Sequence, residues 1–325
     1  MIGDILRIGR GRRGLSVAGR VVLITGAGRG IGRELAGLLH REQASIVLVD
    51  LDRDAVDAAA TALGDGTLAI AADVADRSAM RTVVDRAVDH FGRLDVVVAN
   101  AGVVPRPATV RTLDGPDFDR VMDINLTGVF NTVRPALDHV VAAGGHVVVV
   151  SSCAAFAPGM AGAPYMISKA AVEQLGRALR VELAPFGASA GIAYFGIVET
   201  RMTHDTLDHD ELGRELDDLL PWPLNVRISA AQAAETIADG IERRAARTIA
   251  PAGWEPYALL RGAVNVVLDS ALARDSRVHD LLRRVEARTT PSPYAGDDGS
   301  RSPTAPPLST VRPQHAPSDP KESIP

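Results

Sequence analysis

One cysteine, Cys153, stands among the 325 residues, so no intrachain disulfide is available to hold the fold. It follows Ser152 with no histidine at a motif distance and reads as a small buried side chain. Long apolar runs are also missing. The nearest, YALLRGAVNVVLDSAL at 257 to 272, is interrupted by Arg261, Asn265 and Asp269, short of the roughly eighteen uninterrupted residues of a membrane span. Those three recur every four residues, the pattern of the polar face of an amphipathic helix packed on its own domain; peripheral docking on a membrane surface or a partner subunit is the alternative. No apolar segment of the secretory-signal type is read near the start, and the expected compartment is a reducing cytoplasm. The formal net charge of -5 leaves no electrostatic reason to expect a nucleic-acid partner, because phosphate binding needs a concentrated basic face. Lysine is nearly absent. Of 35 basic residues only Lys169 and Lys321 are lysines, although lysine differs from arginine in being a compact charge with three rotatable donors. A chain that uses arginine almost everywhere else is expected to need an ammonium at 169.

A composition of 46% hydrophobic and 23% charged residues is globular and suffices for one large domain or two smaller ones. Residues 1–17 carry Arg7, Arg10, Arg12 and Arg13 without a clear pattern and read as a basic arm. From about residue 20 to 195, Val/Ile-rich runs (RVVLIT, ASIVLVD, GTLAIAA, LDVVVAN, GHVVVVSS, SAGIAYF) alternate with helical patterns that include 30–42, 76–91, 115–143 and 164–185. The runs lack period-two alternation, as strands buried on both faces do. The succession predicts an α/β fold: a doubly wound parallel sheet of Rossmann type, in a single domain over 18–252. Residues 201–228 break the rhythm, with no strand and with Leu212, Leu216, Leu219 and Leu220 at helical spacing. Their place after the sixth strand, at the carboxyl edge of the sheet, makes them a candidate substrate lid. A further helix (AAQAAETIADGIERRAA) and a short last strand (RTIAPAG) follow, then a helical extension over 253–289. Residues 290–325 hold nine of the 20 prolines and few large apolar side chains, and are expected to be disordered.

RVVLITGAGRGIGREL reads as strand, glycine turn and helix in the order that phosphate binding demands. Gly26 permits the turn, Gly30 admits pyrophosphate against bare backbone, and Gly32 lets the helix pack close, with Arg29 and Ile31 between them at the helix start. Asp50 ends the next strand, where it can accept hydrogen bonds from the adenosine ribose and would repel a 2′-phosphate. NAD is therefore favoured over NADP, while Arg29, with Arg53 nearby, could pair with a phosphate or with Asp50 itself. Tyr165 and Lys169, four apart on a predicted helix, share a face, and a cation beside a phenol favours phenolate and makes the tyrosine a usable acid or base. His204 and His209, near Asp205, Asp208 and Asp210, follow no standard ligand spacing, and no metal site is expected.

TGAGRGIG at 25–32, ANAG at 99–102, the serines 151 and 152, and YMISK at 165–169 resemble, in order and spacing, the classical short-chain dehydrogenases/reductases. The resemblance covers about 18–200. It implies an alcohol–carbonyl oxidoreductase with Asn125, Ser152, Tyr165 and Lys169 as its catalytic set. Tyr165 would exchange the proton, Ser152 would hydrogen-bond the substrate oxygen, Lys169 would hold the nicotinamide ribose, and Asn125 would support a water relay. It also implies adenine contacts from Asp73 and Val74, a supporting role for Asn100, and a homodimer or homotetramer assembled through surfaces such as the Tyr165 helix. Without the resemblance, Asp73 reads as a helix N-cap. The family's Pro-Gly-x-Val-x-Thr is FGIVET here, with Phe195 in place of proline and Gly196, Val198 and Thr200 left for the nicotinamide. The freed backbone makes altered nicotinamide seating the expectation. The substrate is expected to be a small, partly apolar alcohol or carbonyl compound. A non-catalytic dinucleotide-binding regulator or scaffold is the alternative.

Overall fold

Val and Ile crowd the strands because a parallel sheet covered on both faces offers no solvent side to a polar residue. The computed structural model describes residues 14–218 and 222–288. Seven parallel strands form one sheet in the order β3-β2-β1-β4-β5-β6-β9. They are β1 (Val21–Thr25), β2 (Ser45–Asp50), β3 (Thr67–Ala71), β4 (Val96–Ala99), β5 (His146–Val150), β6 (Ser189–Phe195) and β9 (Arg247–Ala250). Every residue of β1, β4, β5 and β6 is buried.

Between the strands run α1 (Gly30–Arg41), α2 (Arg53–Leu63) and α3 (Arg77–Phe91), then α4 (Gly115–Met122), α5 (Gly128–Val133), α6 (Leu137–Ala142) and α7 (Ala163–Glu182). After β6 come β7 (Ile197–Glu199), α8 (Glu211–Asp218), β8 (Arg227–Ser229), α9 (Ala230–Glu242), α10 (Glu255–Leu272) and α11 (Ser276–Arg288). The strand order reverses between β1 and β4, and the crevice beyond their carboxyl ends is the ligand position of such sheets. One face of the sheet packs through Leu23, Val47, Val97 and Val147. The other packs through Ile24, Ile46, Val98 and Ile237.

Four expectations need correction. The segment 1–17 is not an arm throughout: Leu15 and Val17 are buried, and the Leu15 amide donates to the Glu242 carbonyl at 2.7 Å. Residues 1–13 lie outside the described residues, as do Leu219, Leu220 and the expected tail 290–325. The helix expected over 115–143 is interrupted by a π-helical turn, Asp123–Thr127, and a 3-10 turn, Arg134–Ala136. The lid 201–228 is not free of strand, because Arg227 and Ile228 pair with Ile197 and Val198 in a small parallel sheet. Finally, α10 is inside out. Arg261 pairs with Glu173 of α7, Nη1 to Oε2 at 2.8 Å, and the Asn265 amide donates to the Phe156 carbonyl at 2.8 Å. Arg261 and Asn265 of the polar stripe face the domain, Asp269 stays exposed, and Leu259, Leu260, Val266 and Val267 face outward.

Candidate active site

The glycine loop after β1 is shaped by contacts that exclude side chains. Gly26 has φ +67° and Gly30 φ +55°, the left-handed region in which Cβ is disfavoured. A Cβ on Gly32 would lie 2.2 Å from the Gly26 carbonyl oxygen, so only glycine lets α1 start this close to β1. Gly28, not singled out in the sequence, is equally constrained: a Cβ there would sit 2.9 Å from the Ala55 Cβ and 3.0 Å from Asp50 Oδ2. Its amide instead donates to that oxygen at 2.9 Å, while Asp50 Oδ1 accepts from the Asp52 amide at 3.1 Å. Asp50 is thus fixed against the rim of the loop. Asn100, past the end of β4, clamps the same loop by donating from Nδ2 to the Thr25 carbonyl at 2.9 Å and the Gly26 carbonyl at 3.3 Å.

Helices α2, α3 and α9 are capped by the side chains of Asp52, Asp76 and Ser229, whereas Arg29, at the N-cap of α1, supplies no side-chain cap. The first-turn amides of α1, Ile31 among them, are left to an anion. Arg29 itself reaches Asp52, 3.5 Å away and half-exposed, rather than Asp50. This cradle, bare of side chains and rimmed by a carboxylate that suits ribose hydroxyls, fits a dinucleotide. Asp73 is exposed and accepts from the Ala75 amide, so the N-cap of α3 is Asp76 and not Asp73. Val74 is buried against Gly128, where a Cβ would come 2.7 Å from its methyl group.

The four expected catalytic side chains come from three places in the chain: Asn125 from the π-helical turn, Ser152 from past the end of β5, and Tyr165 and Lys169 from α7. Asn125 lies in the π-helical turn, fully buried, with Oδ1 accepting from the Val103 amide at 2.8 Å and Nδ2 donating to Ser168 Oγ at 3.1 Å. The bulge re-aims this one side chain out of the helix register. Lys169 on α7 donates to the Val150 carbonyl at 3.0 Å, and its Nζ is 5.6 Å from the centre of the Tyr165 ring. The Gly102 backbone runs between them: a Cβ there would be 3.3 Å from Asn125 Oδ1 and 3.4 Å from Lys169 Nζ. Ser152 Oγ, past the end of β5, donates to the Phe195 carbonyl at 3.2 Å and accepts from the Ala154 amide at 3.1 Å.

Burial governs the electrostatics. It lowers Lys169 from 10.5 to about 8. It also holds the Tyr165 phenol above its ordinary value, with the Ser152 hydrogen bond pulling the other way. The lowering of the phenol expected from Lys169 is not what governs it here: burial raises it, and the hydrogen bond from Ser152 is what opposes burial. Burial drives the Cys153 thiol strongly upward as well, which keeps it inert.

The loop after β6 closes the crevice. Phe195 is buried and turned into the core, and the Gly196 amide donates to the Ala250 carbonyl at 2.9 Å. A Cβ on Gly196 would meet the Trp254 indole at 2.5 Å. Val198 is buried in β7, and the Thr200 methyl lies 3.6 Å from where a Gly30 Cβ would be, so this loop faces the glycine loop directly. In the lid, Leu212 is not available to a substrate. It is buried with Ala161, Leu281 and Val285, which fastens α8 to α11. Trp222 is exposed. His204 Nδ1 pairs with Asp208 at 2.5 Å, and no group of three potential metal ligands occurs among the described residues.

A model of the short chain dehydrogenase family matches residues 20–211. The (-)-trans-carveol dehydrogenase of Rhodococcus erythropolis is 39% identical over 186 residues, 52% of this chain and 67% of that protein. Probable oxidoreductase EphD of Mycobacterium tuberculosis is 33% identical over 271 residues, 79% of this chain, which spans only 45% of EphD. Levodione reductase has a similar structure, with a TM-score of 0.66 and 27% identity over 72% of this chain and 96% of that one. A short chain dehydrogenase from Mycobacterium paratuberculosis bound to NAD has a TM-score of 0.64 and 27% identity, covering 72% and 97%. No described helix is long and apolar enough to cross a membrane. The glycine cradle, the sheet order and these likenesses agree, and the chain belongs to the short-chain dehydrogenase family of nicotinamide-dinucleotide-dependent oxidoreductases acting on alcohol and carbonyl groups.

Proposed function

We propose that the chain interconverts a secondary alcohol and a ketone on an apolar, alicyclic frame, using NAD in preference to NADP and Tyr165 as acid and base. The observation that carries the catalytic assignment is the buried Lys169 ammonium held 5.6 Å from the Tyr165 ring, with burial the one influence on its charge and no ion pair to a carboxylate among the described residues. A desolvated cation without a counter-charge is costly to keep. It is expected where binding or proton transfer uses it.

The dinucleotide would supply or accept the hydride. The backbone of Gly26, Gly28, Gly30 and Gly32 and the start of α1 would hold its pyrophosphate. Asp50 would accept from the ribose hydroxyls, and Asp73 and Val74 would flank the adenine. Asn100 would keep the loop in place. Gly196, Val198 and Thr200 would orient the nicotinamide end, with Phe195 shifting the loop relative to a proline. In oxidation, Tyr165 takes the alcohol proton while Ser152 Oγ hydrogen-bonds the same oxygen. In reduction, Tyr165 returns that proton to the carbonyl oxygen. Lys169 binds the nicotinamide ribose hydroxyls, and its charge favours the phenolate. Asn125, facing Lys169 across the Gly102 backbone, holds a water through which the proton leaves.

The preference for NAD is supported by Asp50, which is anchored at the rim by the Gly28 and Asp52 amides. The substrate class is supported by two similar proteins named for carveol and levodione, a ring alcohol and a ring ketone. The residues whose amides bond Asn125 and Ser152 are the apolar Val103 and Ala154. Tyr165→Phe tests the reading. Turnover of a cyclic secondary alcohol is expected to fall about a hundredfold or more, with NADH affinity retained. Unchanged turnover would show that Tyr165 is not the acid and base, and a parent protein that binds NADH but turns over no such alcohol would leave only a dinucleotide-binding scaffold.

A further inference from the structure

An 18-residue helix that turns Arg261 and Asn265 inward leaves its apolar side to something else. Along α10, Tyr257, Ala258, Arg261, Asn265 and Leu268 face the domain. The opposite side exposes Leu259, Leu260, Val266 and Val267, each 60 to 70% accessible, with Val264 beside them. These five side chains expose on the order of 500 Å², at the upper end of the largest apolar patch on a typical monomer. From Pro256 to Leu268 the only charged residue is Arg261, which is committed to Glu173.

The pattern is self-complementary. Leu259 and Leu260 lie four and three residues before Ala263, and Val266 and Val267 lie three and four after it. The small Ala263 at the middle leaves room for close helix approach. We propose that α10 is an interface between two copies of this chain, packed antiparallel about a twofold axis at Ala263, with each copy's leucines on the other's valines. A twofold interface requires a patch that matches itself under reversal, which this one does. The area is in proportion: a stable dimer buries about 800 Å² per partner, and the five side chains supply more than half of that before the rim is counted.

A lipid surface fits less well. Membrane-lying helices carry lysine and arginine along the polar border, whereas the border here holds Glu255, Asp269 and Asp275 against Arg274, which donates to the Ser270 carbonyl, with no lysine. The chain's own residues from 290 onward offer few large apolar side chains to cover the patch.

The test is the mass of the full-length protein in solution by light scattering and sedimentation. The particle is expected to halve in Leu259→Arg/Leu260→Arg and in Val266→Glu/Val267→Glu, all exposed positions that leave the core intact. Mixing the two variants should restore the parent mass, because the antiparallel register sets the introduced arginines of one copy on the glutamates of the other. In a separate variant, mild oxidation of Ala263→Cys should trap a covalent dimer, whereas Ser270→Cys, about 20 Å from its symmetry mate by helix rise, should not. A monomeric parent, an unchanged mass in both double variants, or equal crosslinking at 263 and 270 would overturn the proposal. So would binding to phosphatidylcholine vesicles that is lost in these variants while the mass stays the same.

Discussion

Replacing Lys169 with methionine separates the cost of a buried cation from its use. Below pH 8 the lysine is charged in both the folded and the unfolded chain, and the folded chain bears the full desolvation cost. Between about 8 and the ordinary 10.5, the folded chain has released its proton and the unfolded chain has not. The unfolded state then binds more protons, so this group makes stability rise with pH through that window, and above it the cost is gone. A gap of that size corresponds to about 3 kcal/mol at roughly 1.4 kcal/mol per unit.

Methionine keeps the length of the side chain and removes the charge, but it also deprives the Val150 carbonyl of its donor at 3.0 Å. That loss, about 1–3 kcal/mol for a buried acceptor, does not depend on pH here. The two effects oppose each other at neutral pH, so a single melting temperature decides nothing. The pH dependence does. The stability of the parent minus that of Lys169→Met, from melts of cofactor-free protein, is expected to climb by about 3 kcal/mol between pH 7.5 and 10.5, on the order of 8 °C in Tm for a domain of this size. A flat or falling difference would refute the idea that Lys169 is kept as a desolvated ammonium.

Asp50→Ala is expected to bring NADH and NADPH affinities together in a fluorescence titration; tighter NADPH binding by the parent would overturn the role given to Asp50. Gly32→Ala should abolish NADH binding and lower the melting temperature by several degrees, because its Cβ would occupy the Gly26 carbonyl position. Asp95, buried between Arg20, Arg93 and the Val21 amide, is pushed up by burial but held below its ordinary value overall by those partners, so Asp95→Asn should cost about 1–3 kcal/mol at neutral pH, since the arginines it leaves are partly exposed. That cost should shrink as acid protonates the parent, and a pH-independent difference in urea melts would refute the pairing argument. Leu281→Ala opens the small core that fastens α8, at a local cost of about 2–5 kcal/mol, and should raise the KM for the alcohol while leaving NADH affinity unchanged.

The sheet was legible because its signal is local. Runs such as VVLIT and HVVVV can only be strands when every residue is buried, and the alternation with helices of crossover length leaves parallel pairing as the sole arrangement. The paired spacing of Tyr165 and Lys169 was legible for the same reason, since one helix turn brings them together whatever the rest of the chain does. Asn125 was not legible in its own setting. A continuous helix over 115–143 would aim it with its neighbours, and only the π-helical turn turns it towards Val103 and the Lys169 side of Gly102.

The elements that sequence periodicity misread are those whose partners are distant in the chain. A stripe of Arg261, Asn265 and Asp269 ordinarily faces water, yet Glu173 and the Phe156 carbonyl, about a hundred residues away, draw the first two inward. Leu212 looked like a wall of the substrate cleft, but Leu281 and Val285 claim it. The same region binds the opposite side of the cleft, because Glu286 of α11 accepts from Thr109 at 2.6 Å and from Arg111 at 3.1 Å, while Arg284 pairs with Glu215 of α8. One helix, carried by the extension that no motif flagged, thus joins the lid to the loop after β4. Arg29 yields to the same kind of reasoning. Asp52, fixed as the cap of α2, stands nearer to it than Asp50, whose oxygens are already engaged by Gly28 and Asp52 amides. For Arg29 to meet a 2′-phosphate it must leave an exposed pair worth under about 1 kcal/mol, which is easily done. The phosphate must also enter the field of Asp50, whose carboxylate cannot turn away without abandoning both amides, so under the proposed preference for NAD it is Asp50 rather than Arg29 that would select.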